Sequence, residues 1–180
     1  MSVPSRFDLI QEAAAFASRR HRHQTRNDGR TPYASHLFRV AMTVRHQFGC
    51  EDPIAIAAAL LHDTIEDTTT DYDDLLEAFG VEVADIVAAL TKNMTLREDI
   101  REEEYDARLA KADWRARLIK LADTYDNYCD STERPRDDTP TKHFARCLRA
   151  VELARPDGSA HPEIARAIAL VQDLLRTGAP

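Results

Sequence analysis

The stretch Ala58 to Thr68, AALLHDTIEDT, joins an apolar, alanine-rich run to four ionisable groups within six positions: His62, Asp63, Glu66 and Asp67. The pattern predicts a helix that starts after Pro53, carries Ile54, Ile56, Ala57, Leu60 and Leu61 into this cluster, and is broken by threonines 68 to 70. At about 100° per residue, His62 stacks over Glu66 and Asp63 over Asp67. One helix end then presents an imidazole and three carboxylates. Acids at a helix C-terminus face the partial negative charge of unpaired carbonyls, and beside apolar surface they repel one another and lose solvation. A bound divalent cation is the natural compensation.

The rest of the chain repeats the helical period. Leu9, Ile10, Ala13, Ala14, Phe16 and Ala17 form a stripe for a first helix from about Phe7 to His23. A polar stretch with Asp28, Gly29 and Pro32 interrupts it, and a second helix runs from near Ala34 to before Gly49, with His36 in its first turn. Thr70 reads as the cap of a short helix ending at Gly80, with Asp73 three residues on. Further helices are predicted from about Glu82 to Leu90, through the charged stretch Arg97 to Lys111 as a solvated helix, and from Trp114 to Cys129. Ser131 to Pro140 reads as a loop. Helices near Thr141 to Ala154 and Pro162 to Thr177 flank a turn at Pro156, Asp157 and Gly158. No strand alternation or repeat period is present. The fold expected is an all-α bundle of about eight helices in one domain over residues 1–180, with a core over about 7–155 and a C-terminal packing helix over about 162–177.

With 180 residues, the chain can bury a proper core. Its 31 acidic against 24 basic residues, a formal charge of −7, argue against a general DNA- or RNA-binding surface. The basic segment Arg19, Arg20, Arg22 and Arg26 is the exception. No apolar run has the length of a membrane span and no secretory pattern opens the chain, so a cytoplasmic protein with no membrane partner is expected. Cys50, Cys129 and Cys147 are scattered and read as structural. Tyr33 and Trp114 read as packing residues.

Two more groups can join the acidic cluster, His36 at its helix start and Asp123 in LIKLADTYDN. With His62 and Asp63 they make two imidazoles and two carboxylates. That mixed set suits borderline or hard divalent ions, with one manganese first and magnesium, iron, cobalt and zinc behind it.

The order H…HD…D, with TPYASH at Thr31 to His36, LLHDTIEDT at Leu60 to Thr68 and KLADTYDN at Lys120 to Asn127, resembles the HD-superfamily metal phosphohydrolases. It resembles most the RelA/SpoT-type small alarmone hydrolases, over roughly residues 10 to 150. The resemblance implies an HD-domain helical bundle with the hydrolase activity alone. It implies that His36, His62, Asp63 and Asp123 hold manganese, while Glu66 and Asp67 orient the attacking water and shuttle its proton. It implies as substrate a purine nucleotide with a 3′-pyrophosphate, (p)ppGpp and/or (p)ppApp, cleaved to pyrophosphate and the nucleoside 5′-di- or triphosphate.

In the family an arginine shortly before TPYxxH packs against the base, which implies this place for Arg26, and an asparagine matching Asn127 lies near the nucleoside. Lysine often follows that arginine; here it is Asn27, which leaves guanine and adenine both open. Lys92, Arg97, Lys142 and Arg146 are candidates for the distal 5′-phosphates, and the basic segment is placed at the border of the metal. Two alternatives stand beside this reading: a related HD phosphohydrolase acting on NADPH or another nucleotide, and a nucleotide-binding sensor module. The pattern places no constraint on oligomeric state.

Overall fold

A computed structural model describes residues 8–133 and 139–178. In chain order the helices are α1 (Leu9–Arg20), α2 (Ala34–Met42), α3 (Pro53–Leu61), α4 (Thr64–Asp67), α5 (Tyr72–Phe79), α6 (Val81–Leu90), α7 (Glu98–Lys111), α8 (Trp114–Glu133), α9 (Thr139–Ala154) and α10 (Pro162–Thr177). Nine of them have eight residues or more, and the described residues contain no strand, only an isolated bridge between Thr25 and Pro32. The all-α architecture expected from the periodicity is the one observed. No helix of the described residues is long and apolar enough to cross a membrane.

The helix at the centre is α3. Asp52 accepts from the Ile54 N–H and Pro53 occupies the first turn, which nucleates the helix at its N-terminus. From Ala55 to Leu61 every side chain is buried. Helices α1, α2, α6 and α8 pack around it, and small residues such as Ala13 and Ala17 of α1 face this centre fully buried. Leu61 reaches zero exposure at the last turn before the acidic cluster. Leu61→Ala is therefore expected to cost about 3 kcal/mol of stability by leaving a cavity, measured as a shift in the urea midpoint with unchanged m-value.

Local details differ from the sequence expectation. The helix from Pro53 is not continuous through the cluster: it ends at Leu61, and α4 begins anew at Thr64. His62 Nδ1 bonds the Ala59 carbonyl at 2.8 Å and Thr64 Oγ1 donates to the Leu61 carbonyl at 2.6 Å, so side chains take the acceptors at the helix end. Asp63 sits at φ −100°, ψ 0°, the bridge between the two segments. The Asp63–Asp67 relation of one turn survives through Asp67 N–H to Asp63 C=O at 2.9 Å, but His62 and Asp63 stand at a joint instead of along one helix.

The cap of α5 is Asp71, not Thr70. Asp71 and Asp74 form a reciprocal capping box, and Thr70 instead accepts from Thr68 Oγ1 at 2.8 Å. Both registers offer an acid three residues on, so the sequence alone does not separate them. Residue 7 lies outside the described residues, so α1 is seen from Leu9, and it ends at Arg20. The loop expected over Ser131 to Pro140 lies partly outside them as well, at 134–138, while its flanks belong to α8 and α9.

Arginines tie α6, α7 and α8 into a fixed frame. Arg108 of α7 donates to the carbonyls of Ala88, Ala89 and Thr91 at the end of α6. Arg117 of α8, 8 % exposed, does the same for Leu109, Ala110 and Ala112 and forks onto Asp157. These cations complete the orphan carbonyls of two helix ends and complement their dipoles. The solvated helix expected over Arg97 to Lys111 is thus mostly exposed, with Tyr105 and Leu109 buried against the core.

Candidate metal centre

His36 leaves the first turn of α2, His62 the joint after α3, and Asp123 the middle of α8. All three are brought into one buried group whose donor atoms lie within 4.8 Å of one another. Asp63 stands beside them, with Oδ2 3.2 Å from His62 Nε2 and 3.7 Å from His36 Nε2. Asp123 Oδ1 is 3.4 Å from His36 Nε2 and 3.8 Å from His62 Nε2.

The far sides of both rings determine what the near sides can be. His62 Nδ1 faces a carbonyl, an obligate acceptor, so that nitrogen carries a proton and Nε2 is the one that can offer a lone pair to a cation. His36 Nδ1 faces Asp126 Oδ2 at 2.6 Å, again an acceptor. Two imidazole Nε2 atoms and two carboxylates therefore converge, and among the described residues His62 Nε2 is fully buried without a hydrogen-bond partner. Donors without a proton or cation between them are unstable when buried. A divalent ion fits this set, two nitrogens and two carboxylate oxygens, and each ring has its outer nitrogen held, as is typical of metal-bound histidines.

The electrostatics agree. Burial pushes both imidazoles down, but hydrogen bonds and charges from Asp123 and Asp126 around His36, and from Asp63 and Asp123 around His62, outweigh it and raise both above the ordinary value. Burial would raise Asp63 and Asp123; the imidazoles, and for Asp123 first of all Lys120, hold them below the usual carboxylate range. In metal-free protein the surrounding carboxylates thus favour a proton where a cation would sit. Because the imidazole values are raised, a cation must displace protons, and its apparent affinity falls as pH falls. Calorimetric titration with Mn2+ in two buffers of different ionisation enthalpy is expected to give heats that differ in proportion; equal heats would exclude proton release.

Glu66 and Asp67 are placed by α4. Glu66 Oε2 accepts the Lys92 backbone N–H at 2.8 Å, just past the α6 end that Arg108 clamps. Burial and the charges of Asp63 and Asp67 raise Glu66 despite that N–H. Asp67 is raised by burial and by Asp63. Tyr33 corrects the packing expectation: it stacks on His21, but its hydroxyl donates to Asp63 Oδ2 at 2.6 Å and lies 3.2 Å from Asp67 Oδ2. Burial first, then Asp63, pushes its own ionisation far up, so it remains a donor.

Arg26 and Asn127 also meet. Arg26 Nη2 donates to Asn127 Oδ1 at 2.9 Å and to Asp130 Oδ2 at 3.1 Å, and Asn127 Nδ2 donates to Asp123 Oδ1 at 2.6 Å. The loop that carries Arg26 folds back because Asp28 accepts from Arg30 N, Thr31 N and Thr31 Oγ1, and Gly29 takes φ +69°, a conformation side chains resist. The other arginines of that segment do not follow: Arg20 pairs with Asp74, and Arg22 donates to Arg19 C=O and His23. Positive charge near Asp123 comes instead from Lys120, which holds Asp123 Oδ2 at 2.9 Å, and from Arg146 in the wall of a small adjoining cavity, where Lys92 is paired with Glu102 and Arg149 with Asp106. Of the four cations considered for distal phosphates, Lys92 and Arg146 line this cavity, whereas Arg97 is exposed and forked on Asp99.

Asp126 and the hydroxyl contacts of Tyr33 are the features of the site that the sequence did not suggest. The signal was the spacing Lys120, Asp123, Asp126/Asn127, Asp130, a polar stripe at helical period along a helix otherwise rich in buried residues.

Comparison with known proteins bears on this geometry. A family model described as HD domain matches residues 13–158. A Xenopus tropicalis protein named guanosine-3′,5′-bis(diphosphate) 3′-pyrophosphohydrolase MESH1 is 39 % identical over 123 residues, 68 % of this chain and 69 % of that protein. Its human counterpart of the same name is 40 % identical over 122 residues, 67 % and 68 % of the two chains. A solved structure described as a metazoan ortholog of SpoT that hydrolyses ppGpp and plays a role in starvation responses superposes with TM-score 0.81 at 26 % identity, over 99 % of each chain. The chain therefore belongs to the HD-domain family of hydrolases and, within it, to the RelA/SpoT-type small alarmone hydrolases.

Proposed function

We propose that this protein hydrolyses the 3′-pyrophosphate of alarmone nucleotides, (p)ppGpp and/or (p)ppApp, with one manganese ion held by His36, His62, Asp63 and Asp123. The observation that carries the reading is the pair of buried Nε2 atoms, both turned by acceptors on their Nδ1 sides toward Asp63 and Asp123, with His62 Nε2 unpartnered among the described residues. A divalent ion there supplies charge stabilisation at the phosphoryl oxygens and a lowered pKa for the attacking water.

The remaining steps belong to the chain. Glu66, with Oε2 taken by the Lys92 N–H, offers Oε1 to orient the water. Asp67, its value raised by burial and by Asp63, accepts and passes on the proton. Tyr33 keeps Asp63 and Asp67 in register through its single hydroxyl proton. Lys120 shares the Asp123 carboxylate and so leaves Oδ1 directed at the imidazoles. Arg26, braced by Asn127 and Asp130, packs against the purine, and Asn127 faces the nucleoside. Lys92 and Arg146 meet the phosphates in the cavity beside Asp123. The names of the relatives support the substrate class.

The experiment offers the purified protein, with Mn2+, the guanosine and adenosine 3′,5′-bis(diphosphates), NADPH and nucleoside monophosphates, and measures phosphate and pyrophosphate separately. Pyrophosphate from one or both bis(diphosphates) supports the proposal. Phosphate alone, from NADPH or a monophosphate, replaces it with the related phosphohydrolase; tight binding without turnover replaces it with the sensor.

A further inference from the structure

The two histidines of the centre are oriented by different means. The Nδ1 of His62 is held by a backbone carbonyl, which no side-chain substitution removes. That of His36 is held by a side chain, Asp126, from another helix and 90 residues away in sequence. Asp126 is itself only 6 % exposed, and a buried carboxylate needs compensation. Arg39 provides it through a two-pronged contact, Nε to Oδ1 at 2.6 Å and Nη2 to Oδ2 at 2.9 Å. Arg39 lies three residues after His36 on α2, so both ends of the contact rise from one face of one helix while Asp126 descends from α8.

This arrangement has one consequence for the ring. A carboxylate forked by a guanidinium is ionised and can only accept, so His36 Nδ1 must be the donor. A proton is thereby fixed on the outer nitrogen, and Nε2, facing Asp123 at 3.4 Å and Asp63 at 3.7 Å, is the nitrogen left to bind a cation. The 2.6 Å contact also fixes the ring plane, since rotation about the Cβ–Cγ bond would break it.

We propose that Asp126, held by Arg39, is a positioning residue that sets the tautomer and ring orientation of His36 and thereby tunes how tightly the centre binds its cation. The proposal rests on the reading of His36 as a ligand. Outer partners of ligating histidines typically contribute 10- to 100-fold in metal affinity, and loss of Asp126 is expected to act on binding of the ion more than on the chemical step.

The test compares the parent with Asp126→Asn and Asp126→Ala in three measurements: the Mn2+ dissociation constant from the EPR signal of free Mn2+, the melting temperature without metal, and the 15N shifts of the His36 ring in metal-free protein. The expected result is a Kd raised about 10- to 100-fold in Asp126→Ala and less in Asp126→Asn, whose amide oxygen still accepts from Nδ1. Turnover should recover toward the parental kcat at saturating Mn2+, and the Nδ1–H signature of His36 should be lost in Asp126→Ala. A folded variant whose Kd stays within about twofold of the parent and whose His36 keeps its Nδ1 proton overturns the proposal. Should Asp126→Ala not fold, Asp126→Asn decides on the same Kd criterion. A parent that binds no Mn2+ contradicts the metal reading instead, and the ring shifts then still decide whether Asp126 sets the tautomer.

Discussion

Asp63→Ala protein is expected to lose essentially all Mn2+-dependent pyrophosphate release, a fall of about 10³-fold or more, equivalent to at least about 4 kcal/mol of transition-state stabilisation. The size follows from position. Among the described residues Asp63 is the one carboxylate within 3.7 Å of both imidazole Nε2 atoms through a single oxygen, Oδ2, and the same oxygen receives the Tyr33 hydroxyl. Removing it takes a negative donor from the proposed ligand set and frees the hydroxyl that holds Asp67. It also removes the strongest of the carboxylate influences that hold the His62 imidazole above its ordinary value. Asp63→Asn, of nearly equal volume, separates charge from packing: it should retain the melting temperature more closely than the alanine variant while losing a comparable share of turnover. Equilibrium dialysis with Mn2+, read beside steady-state rates, checks both. Parental activity in either variant would place the reaction elsewhere.

Glu66→Gln and Asp67→Asn are expected to lower kcat by about 10²- to 10⁴-fold each while leaving Mn2+ binding within a few-fold of the parent. Neither carboxylate is within the group of converging donors, and each has its own anchor, Lys92 N–H for Glu66 and the Tyr33 hydroxyl for Asp67. Gln retains an acceptor for the Lys92 N–H, so that contact should persist and the loss should report on proton handling. Both carboxyls are raised above their ordinary values, by burial first and then by neighbouring acids. In metal-free protein both carboxyls should therefore titrate above their ordinary values, read from the 13C shifts of the side-chain carboxyls, and each titration should be absent from the variant that removes the group. If Mn2+ binding falls as steeply as kcat, these residues belong to the ligand set instead.

The sequence disclosed those features whose physics is local. The limits of α10, Pro162 to Thr177, follow from an initial proline and a terminal glycine, and both are read directly from the chain. The cluster from His62 to Asp67 stood out because so many ionisable groups after an apolar run call for a counter-charge whatever the fold. The joint between α3 and α4 was not visible, because it depends on His62 and Thr64 bonding backward to carbonyls in place of continuing the helix. The role of Asp126 depended on α8 lying across α2, a tertiary fact, although its spacing from Asp123 placed both on one face. The basic segment misled for a related reason: charge alone does not say which arginine the chain delivers, and only the turn at Asp28 and Gly29 sends Arg26 toward Asn127.

The most direct test is the set of products formed from guanosine 3′,5′-bis(diphosphate) by the Mn2+-loaded protein, quantified by ion chromatography over a single turnover. One pyrophosphate and one nucleoside 5′-diphosphate per substrate are expected, with no free phosphate, and neither product with Asp63→Ala protein. Free phosphate without pyrophosphate, or equal pyrophosphate from the Asp63→Ala variant, would contradict the proposed reaction.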